Sequence, residues 1–237
     1  MAKGIRKIFS EISNDYEFLN HLLTFNLDTL WRKKVINIAL STGGKLYLDA
    51  CTGTGEIAIM LNKALRGKGI KIENSARIFA IDFSQPMLEV AKSKPDSAGI
   101  QFVNTECDTL PFPDNYFDCV IASFAARNLS ISKHILSASI KEFHRVLKPN
   151  GTFLNLETSQ PDSRIFILLF HFYLKFVVKP IGQLLSGARG AYSYLTQSIV
   201  RFYNREEFSN ILLTNGFSSV ETKKLFFGIA AIHIARK

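Results

Sequence analysis

Cysteine is scarce and poorly placed for cross-linking. The chain has three, Cys51, Cys107 and Cys119, an odd number with no CxxC or Cys/His spacing. This pattern argues against a disulfide scaffold and against a zinc site, and points to a reducing compartment. The N-terminal stretch MAKGIRKIFSEISNDYEF lacks the apolar core of a signal peptide. No Gly-Lys-Ser/Thr follows the glycine-rich turn at 53–55, so the lysine that grips a nucleotide triphosphate is missing. Internal repeats, low-complexity tracts and an obvious linker are also missing, and 237 residues suit one domain spanning 1–237. The longest apolar run, Ile165 to Val178, is interrupted only by His171 and Lys175. It falls short of the roughly 20 residues that a spanning helix needs. Two readings remain for it. It is a buried helix, or it lies beside a greasy substrate or a membrane interface with Arg164, Lys175 and Lys179 at the headgroups.

Positive charge is plentiful. A formal net charge of +9 suits either nucleic acid or anionic lipid. The basic residues are scattered and no aromatic–basic RNA-binding motif is present, which disfavours nucleic acid. Periodicity then divides the chain. Helices are expected from Arg6 to about Leu40, with apolar residues such as Phe18, Leu22 and Phe25 at helical spacing. KLYLDA, RIFAIDF, IQFVNTE, FDCVIASF and GTFLNLET read as strands, alternating with helices at GEIAIMLNKAL, SQPMLEVAKSK and SKHILSASIKEFHRVLKPNG. Ser84 is a candidate N-cap, and Pro149 with Gly151 a candidate stop. After the apolar run a helix is expected between an Asn204 cap and Gly216, then strands at Phe217–Thr222 and Leu225–Ala235. Strands alternating with helices predict an α/β, mainly parallel sheet with helices on both faces.

The turn after the first strand is the expected ligand site. Gly53 and Gly55 let a ligand approach the backbone, where a side chain would block it. Gly53 to Ala58 satisfies G-x-G-x-x-A, so a dinucleotide is a live alternative, with Asp82 placed for ribose hydroxyls. Asp49 and Glu56 argue otherwise. A carboxylate immediately before the loop, and another in the first helical turn, would repel a pyrophosphate at that helix N-terminus. They would attract the methionine ammonium group of S-adenosylmethionine. Glu106, after the third strand, is placed to accept from an adenine amino group. Plainer roles exist: Asp49 capping a turn, Asp82 capping the next helix. Cys107 and Cys119 read as packing residues, and His21, His134, His144 and His233 as structural ones.

Several stretches together are distinctive: LDACTGTGEIAI, DFSQPMLEVAKSK, LPFPDNYFDCVIASFAARNLS, EFHRVLKPNGTFLNLETSQP, YSYLTQSI, and the leader IFSEISNDYEFLNHLLTFNLDTLWRKKVI. In these the chain resembles, over nearly its whole length, the quinone-biosynthesis C-methyltransferases. That family methylates demethylmenaquinol and, in some members, a ubiquinol precursor. The resemblance implies a Rossmann-like class I methyltransferase fold with a seven-stranded sheet. It also implies an N-terminal helical lid over 1–42 and a helical insertion over 162–200, on the substrate side. S-adenosylmethionine would be the methyl donor, without a metal. The family's cofactor contacts fall here on Thr54, Asp82, Glu106 with Cys107, and Ser123, beside Asp49, Gly53, Gly55 and Phe83 of the loop region. Glu106-Cys107 departs from the usual Asp or Asn followed by Ala, and Glu56 from an Asp.

Arg127 and Asn128 follow strand four and are the expected catalytic pair, Arg127 stabilising a phenolate and Asn128 orienting the ring oxygen. Tyr16 matches a family tyrosine expected to close over the ring. Arg127 pairing with an acid, Asn128 capping a helix and Tyr16 packing in the core are the plainer alternatives. The expected partner is a polyprenylated hydroquinone, held in a lipophilic tunnel. The expected location is cytoplasmic, peripheral on the inner face of the membrane, with a homodimer left open.

Overall fold

The computed structural model describes residues 16–69, 76–186 and 189–237. Seven strands form one sheet in the order β3-β2-β1-β4-β5-β7-β6. β1 (Leu46–Ala50), β2 (Arg77–Asp82), β3 (Ile100–Asn104), β4 (Phe117–Ser123) and β5 (Leu147–Thr158) run parallel. β7 (Ala230–Arg236) pairs antiparallel with both β5 and β6 (Ser219–Leu225). From β1 the chain steps outward through β2 and β3, then returns to place β4 on the other side of β1. That reversal opens a crevice at the carboxyl ends of β1 and β4, where ligands bind in open α/β sheets.

Both faces of the sheet are covered. Along β1, Tyr47 points to one core and Leu48 and Ala50 to the other, the period-2 alternation of a strand. One core packs the sheet against α2 (Leu27–Ser41) and α3 (Glu56–Gly67) through Trp31, Val35, Ile57 and Leu61. The opposite core uses α6 (Lys133–Val146) and α10 (Arg205–Thr214) through Leu136, Phe143, Phe208 and Leu212. α4 (Gln85–Ser93) follows β2, and the single turn α5 (Ala126–Leu129) follows β4.

A third cluster lies apart from the sheet. The leader helix α1 (Tyr16–Leu23) packs Leu19 and Leu23 against Leu174, Val178, Tyr192 and Ile199 of the segment after β5. That segment is α7 (Arg164–Tyr173), a π-helical turn (Leu174–Val178), α8 (Lys179–Ser186) and α9 (Arg189–Arg201). Gly182 is required where α8 meets α9: a Cβ there would lie 2.1 Å from the Tyr192 ring.

Several boundaries differ from the sequence expectation. α6 ends at Val146, ahead of Pro149, because Leu147 already pairs with Phe117 and starts β5. Ser84 sits at the N-cap position of α4, but its hydroxyl makes no cap bond. Its backbone N–H donates instead to Asp82 Oδ1 at 2.8 Å. Asn204 does cap α10, in a reciprocal box with Glu207. The last two strands are shifted towards the C-terminus by a turn at Phe226–Gly228, where Phe226 and Phe227 take positive φ.

The apolar run is part of a continuous helical stretch, Arg164–Leu185. It is 22 residues long, and by length and composition alone it could cross a membrane. It is not a buried helix: Leu168 is 71 % and Phe172 60 % exposed. Only its inner edge, including Leu174 and Val178, is covered by α1 and α9.

Candidate active site

The loop between β1 and α3 is shaped by backbone conformations with positive φ at Cys51, Gly53 and Gly55. A Cβ on Gly53 would meet nothing within 4 Å, so this glycine leaves open space over the loop. Gly55 serves packing instead: a Cβ there would come 2.9 Å from that of Ala91 in α4. Thr52 and Gly53 bind back onto β2, through Ile81 O and Asp82 Oδ2 respectively. The result is a small polar pocket at the switch point, with Asp49, Gly53, Thr54, Asp82, Phe83 and Ser123 on its wall. Asn128 also lines it.

Burial gives this pocket its electrostatic character. Removal from water pushes the Asp49 carboxyl up to about 7, against opposing hydrogen bonds from the Thr52 hydroxyl and the Ala58 N–H. Desolvation likewise pushes Asp82 up to about 6, although N–H groups of Ser84, Gly53 and Phe83 donate to it. Ser123 Oγ is buried without a hydrogen-bond partner from the protein. Two carboxyls that resist ionisation, an unsatisfied hydroxyl and an open glycine face fit a ligand with a cationic group and hydroxyls. S-adenosylmethionine has both.

Gly55, Glu106 and Cys107 are not among the described residues lining this pocket. Cys107 is buried with its Sγ 2.9 Å from Sγ of Cys51, which does line the pocket. The contact with Cys107, together with burial, holds the Cys51 thiol well above its ordinary range, so it is no nucleophile. The Thr54 hydroxyl donates to Glu17 of α1, and Lys94 binds both Glu17 and the Thr54 carbonyl. Tyr16 opens α1, but its side chain lies outside the described residues.

A second, larger cavity adjoins the first. Its volume is about 420 Å³ and its wall is mostly apolar, with Leu23, Phe166, Phe170, Leu174, Val178 and Leu195 contributed by the leader and the insertion. Arg32 and Phe124 line both spaces. The Arg32 guanidinium lies 5.1 Å from the Phe124 ring centroid, so a cation stacked on an aromatic face forms the partition. Arg127 lines the apolar side, where its Nη1 donates to Glu157 Oε1 at 2.8 Å and to Phe124 O at 2.9 Å. The expected alternative of an acid partner is therefore present, and the buried pair holds the guanidinium at the cavity wall. Asn128 accepts from the Tyr194 hydroxyl at 3.2 Å, joining the YSYL stretch to the site.

Behind the partition lies a charged cluster that the sequence pattern does not announce. Arg32 bonds Asp28 and, at 2.8 Å, Glu56 Oε2. His21 Nδ1 lies 2.8 Å from Asp28 Oδ2, and its Nε2 lies 3.4 Å from Glu56 Oε1. Burial raises the Glu56 carboxyl, which Arg32 partly opposes. His21, expected as a structural residue, thus joins a network beside the cavity. The available signal is the Asp28–Arg32 spacing of four on an otherwise apolar helix face.

The fold and this pair of cavities define a class I S-adenosylmethionine-dependent methyltransferase. A structure described as an S-adenosylmethionine-dependent methyltransferase, possibly a histamine N-methyltransferase, from Thermotoga maritima superposes with a TM-score of 0.66, at 18 % identity, covering 98 % of this chain and 99 % of that one. The sequence profile of the ubiE/COQ5 methyltransferase family matches residues 1–237, and the chain belongs to that family. The demethylmenaquinone methyltransferase of Thermus thermophilus is 37 % identical over 229 residues, 96 % of this chain and 98 % of that protein. Its counterpart from Geobacillus stearothermophilus is 35 % identical over 236 residues, 98 % and 96 % of the two chains.

Carboxyls raised in this way would make a cation site pH-dependent. Both are neutral well below their values of about 6 and about 7, and both are anionic above them. A cation is favoured by the anionic form, so S-adenosylmethionine affinity should rise roughly tenfold between pH 5 and pH 8, or about 1.4 kcal/mol of binding free energy. Isothermal calorimetry across that range checks it. Asp49→Asn should bind more weakly with a flatter profile; an unchanged profile would remove Asp49 from cation recognition.

Proposed function

We propose that this protein methylates a ring carbon of demethylmenaquinol, giving menaquinol. The observation that carries this reading is the large apolar cavity meeting the polar pocket at Arg32 and Phe124. A flat hydroquinone ring at the junction, with its prenyl tail among Phe166, Phe170 and Leu174, uses both halves. The names of the relatives at 35–37 % identity support the same substrate.

S-adenosylmethionine supplies an electrophilic methyl group on a sulfonium. The protein's contribution is chiefly alignment, which reaches about 7–11 kcal/mol in favourable systems. Asp49 holds the methionine ammonium and Asp82 the ribose hydroxyls, with Ser123 offering its free hydroxyl. Arg127, fixed by Glu157, presents positive charge to the ring oxygen as it loses its proton. Asn128, held by Tyr194, orients that oxygen. The apolar lining of the cavity excludes water from the ring.

The apolar outer surface around the cavity has a use under this reading. Phe18, Phe25, Ile165, Leu168, Phe172 and Phe176 are exposed large side chains, beside exposed Arg164 and Lys175. Contiguous exposed apolar surface rimmed by basic groups fits an anionic bilayer, from which a polyprenyl substrate enters. The protein thus acts peripherally at the inner face of the cytoplasmic membrane.

Incubation with S-adenosylmethionine and chemically reduced demethylmenaquinone should give a quinone heavier by one methyl-for-hydrogen exchange, read by mass spectrometry. No product despite tight cofactor binding would overturn the substrate and direct the search to ubiquinone precursors. Arg127→Ala, combined with Glu157→Gln so that no buried carboxylate is stranded, should lower turnover about 10²-fold or more with cofactor affinity kept. Full activity would remove Arg127 from the chemistry. The protein should float with anionic liposomes at low salt, and Leu168→Asp with Phe172→Asp should abolish flotation while barely changing stability. A wild-type protein that stays in the aqueous fraction would exclude the membrane contact.

A further inference from the structure

Ring methylation releases one proton. The ring hydroxyl gives up its proton, and the ring carbon displaces the methyl group from the sulfonium to leave a C–CH₃ bond and a neutral thioether. The displaced ring hydrogen then returns to the oxygen as a proton, so that the hydroxyl's original proton is the one H⁺ released. An apolar cavity offers this proton no resting place, because a bare charge in such surroundings is strongly disfavoured. An exit must therefore be built into the wall.

Among the described residues, Asp28 is the one carboxylate lining the apolar cavity. It is almost fully buried, at 1 % exposure. Its Oδ1 accepts from the Thr24 hydroxyl at 2.8 Å, and its Oδ2 faces His21 Nδ1 and Arg32. His21 is different in kind: about a third of its side chain reaches solvent, at 30 %. The two residues thus connect the cavity interior to water in two hydrogen-bonded steps. Resting this inference on the ring-methylation reading above, we propose that Asp28 and His21 form the proton exit, Asp28 accepting from the ring hydroxyl and His21 carrying the proton outward.

The surroundings agree with that direction of travel. Burial alone would raise the Asp28 carboxyl, yet Arg32, Thr24 and His21 together hold it below the ordinary range. Asp28 therefore passes a proton on rather than storing it. Imidazole is the side chain that ordinarily changes charge in the neutral range. The charged groups packed about His21 are Asp28 and Arg32 from α2 and Glu56 from α3. Glu17, one turn earlier in α1, is held by Lys94 from the end of α4. A proton arriving on His21 thus meets carboxyl oxygens of Asp28 and Glu56 on its two ring nitrogens. The donor atoms of His21, Asp28 and Glu56 also lie within 4.8 Å of one another, a spacing that suits a metal ion. The Arg32 guanidinium already bonds both carboxylates, so a cation of the protein's own stands beside them.

His21 acts through Asp28 and is a positioning residue, so its test needs more than lost rate. In His21→Gln, turnover on reduced demethylmenaquinone at saturating S-adenosylmethionine should fall about 10²-fold. Added imidazole should restore part of the rate in His21→Ala. Asp28→Asn should lower turnover similarly and resist imidazole rescue. Cofactor affinity measured by calorimetry should stay within about twofold in every variant, showing an intact fold. An active wild type beside a His21→Gln variant of equal rate, or a slow His21→Ala variant that imidazole does not rescue, would overturn the proton exit alone. A wild type with no activity on this hydroquinone would overturn the substrate reading and the exit together.

Discussion

Arg32 is the contact on which both halves of the site depend. One buried guanidinium bonds Asp28 and Glu56 and stacks on Phe124. In doing so it fixes α2 to the start of α3 and forms the partition between a polar and an apolar space. Buried charges are tolerated only when paired, and removing one partner from such a cluster typically costs about 3–5 kcal/mol. The arginine therefore cannot be exchanged for an apolar residue without stranding two carboxylates. What it separates is the pocket beside Asp49 and the apolar cavity, both of which it lines.

The parallel sheet supplies the frame for this meeting. β1 and β4 end side by side, delivering Asp49 and Ser123 to one pocket, while β5 ends in Glu157 and Thr158 beside the other. Glu157 reaches back 30 residues to hold Arg127. Both elements that close the apolar space, α1 and the segment after β5, come from outside the core strand–helix alternation. The sheet frames the pocket beside Asp49, and the appended helices shape the apolar cavity.

Much of this is legible in the sequence because it is local. An acid, a glycine turn and a helix start follow one another between Asp49 and Glu56, and strand and helix periods alternate clearly from Leu46 onward. The cluster of His21, Asp28, Arg32 and Glu56 is not legible, because its members come from three helices and meet only after packing. His21 alone looks like any polar residue on a helix. Composition likewise leaves open whether the run from Ile165 to Val178 faces protein or solvent, since an apolar residue has the same identity in both places. The Phe226–Gly228 turn is hidden for a similar reason: two aromatic residues with positive φ carry no turn signature before the glycine.

The attachment of α1 has a mechanical consequence. Asn20 and Leu23 wall the apolar cavity, while Glu17 on the same short helix grips the Thr54 hydroxyl and Lys94 at the opposite pocket. One short helix thus touches both compartments. Any swing of that helix wide enough to admit a bulky acceptor also loosens the grip on the glycine loop. The two compartments are therefore tied together through one short helix, which joins α2 at the Thr24–Asn26 corner, where Phe25 and Asn26 adopt left-handed backbone.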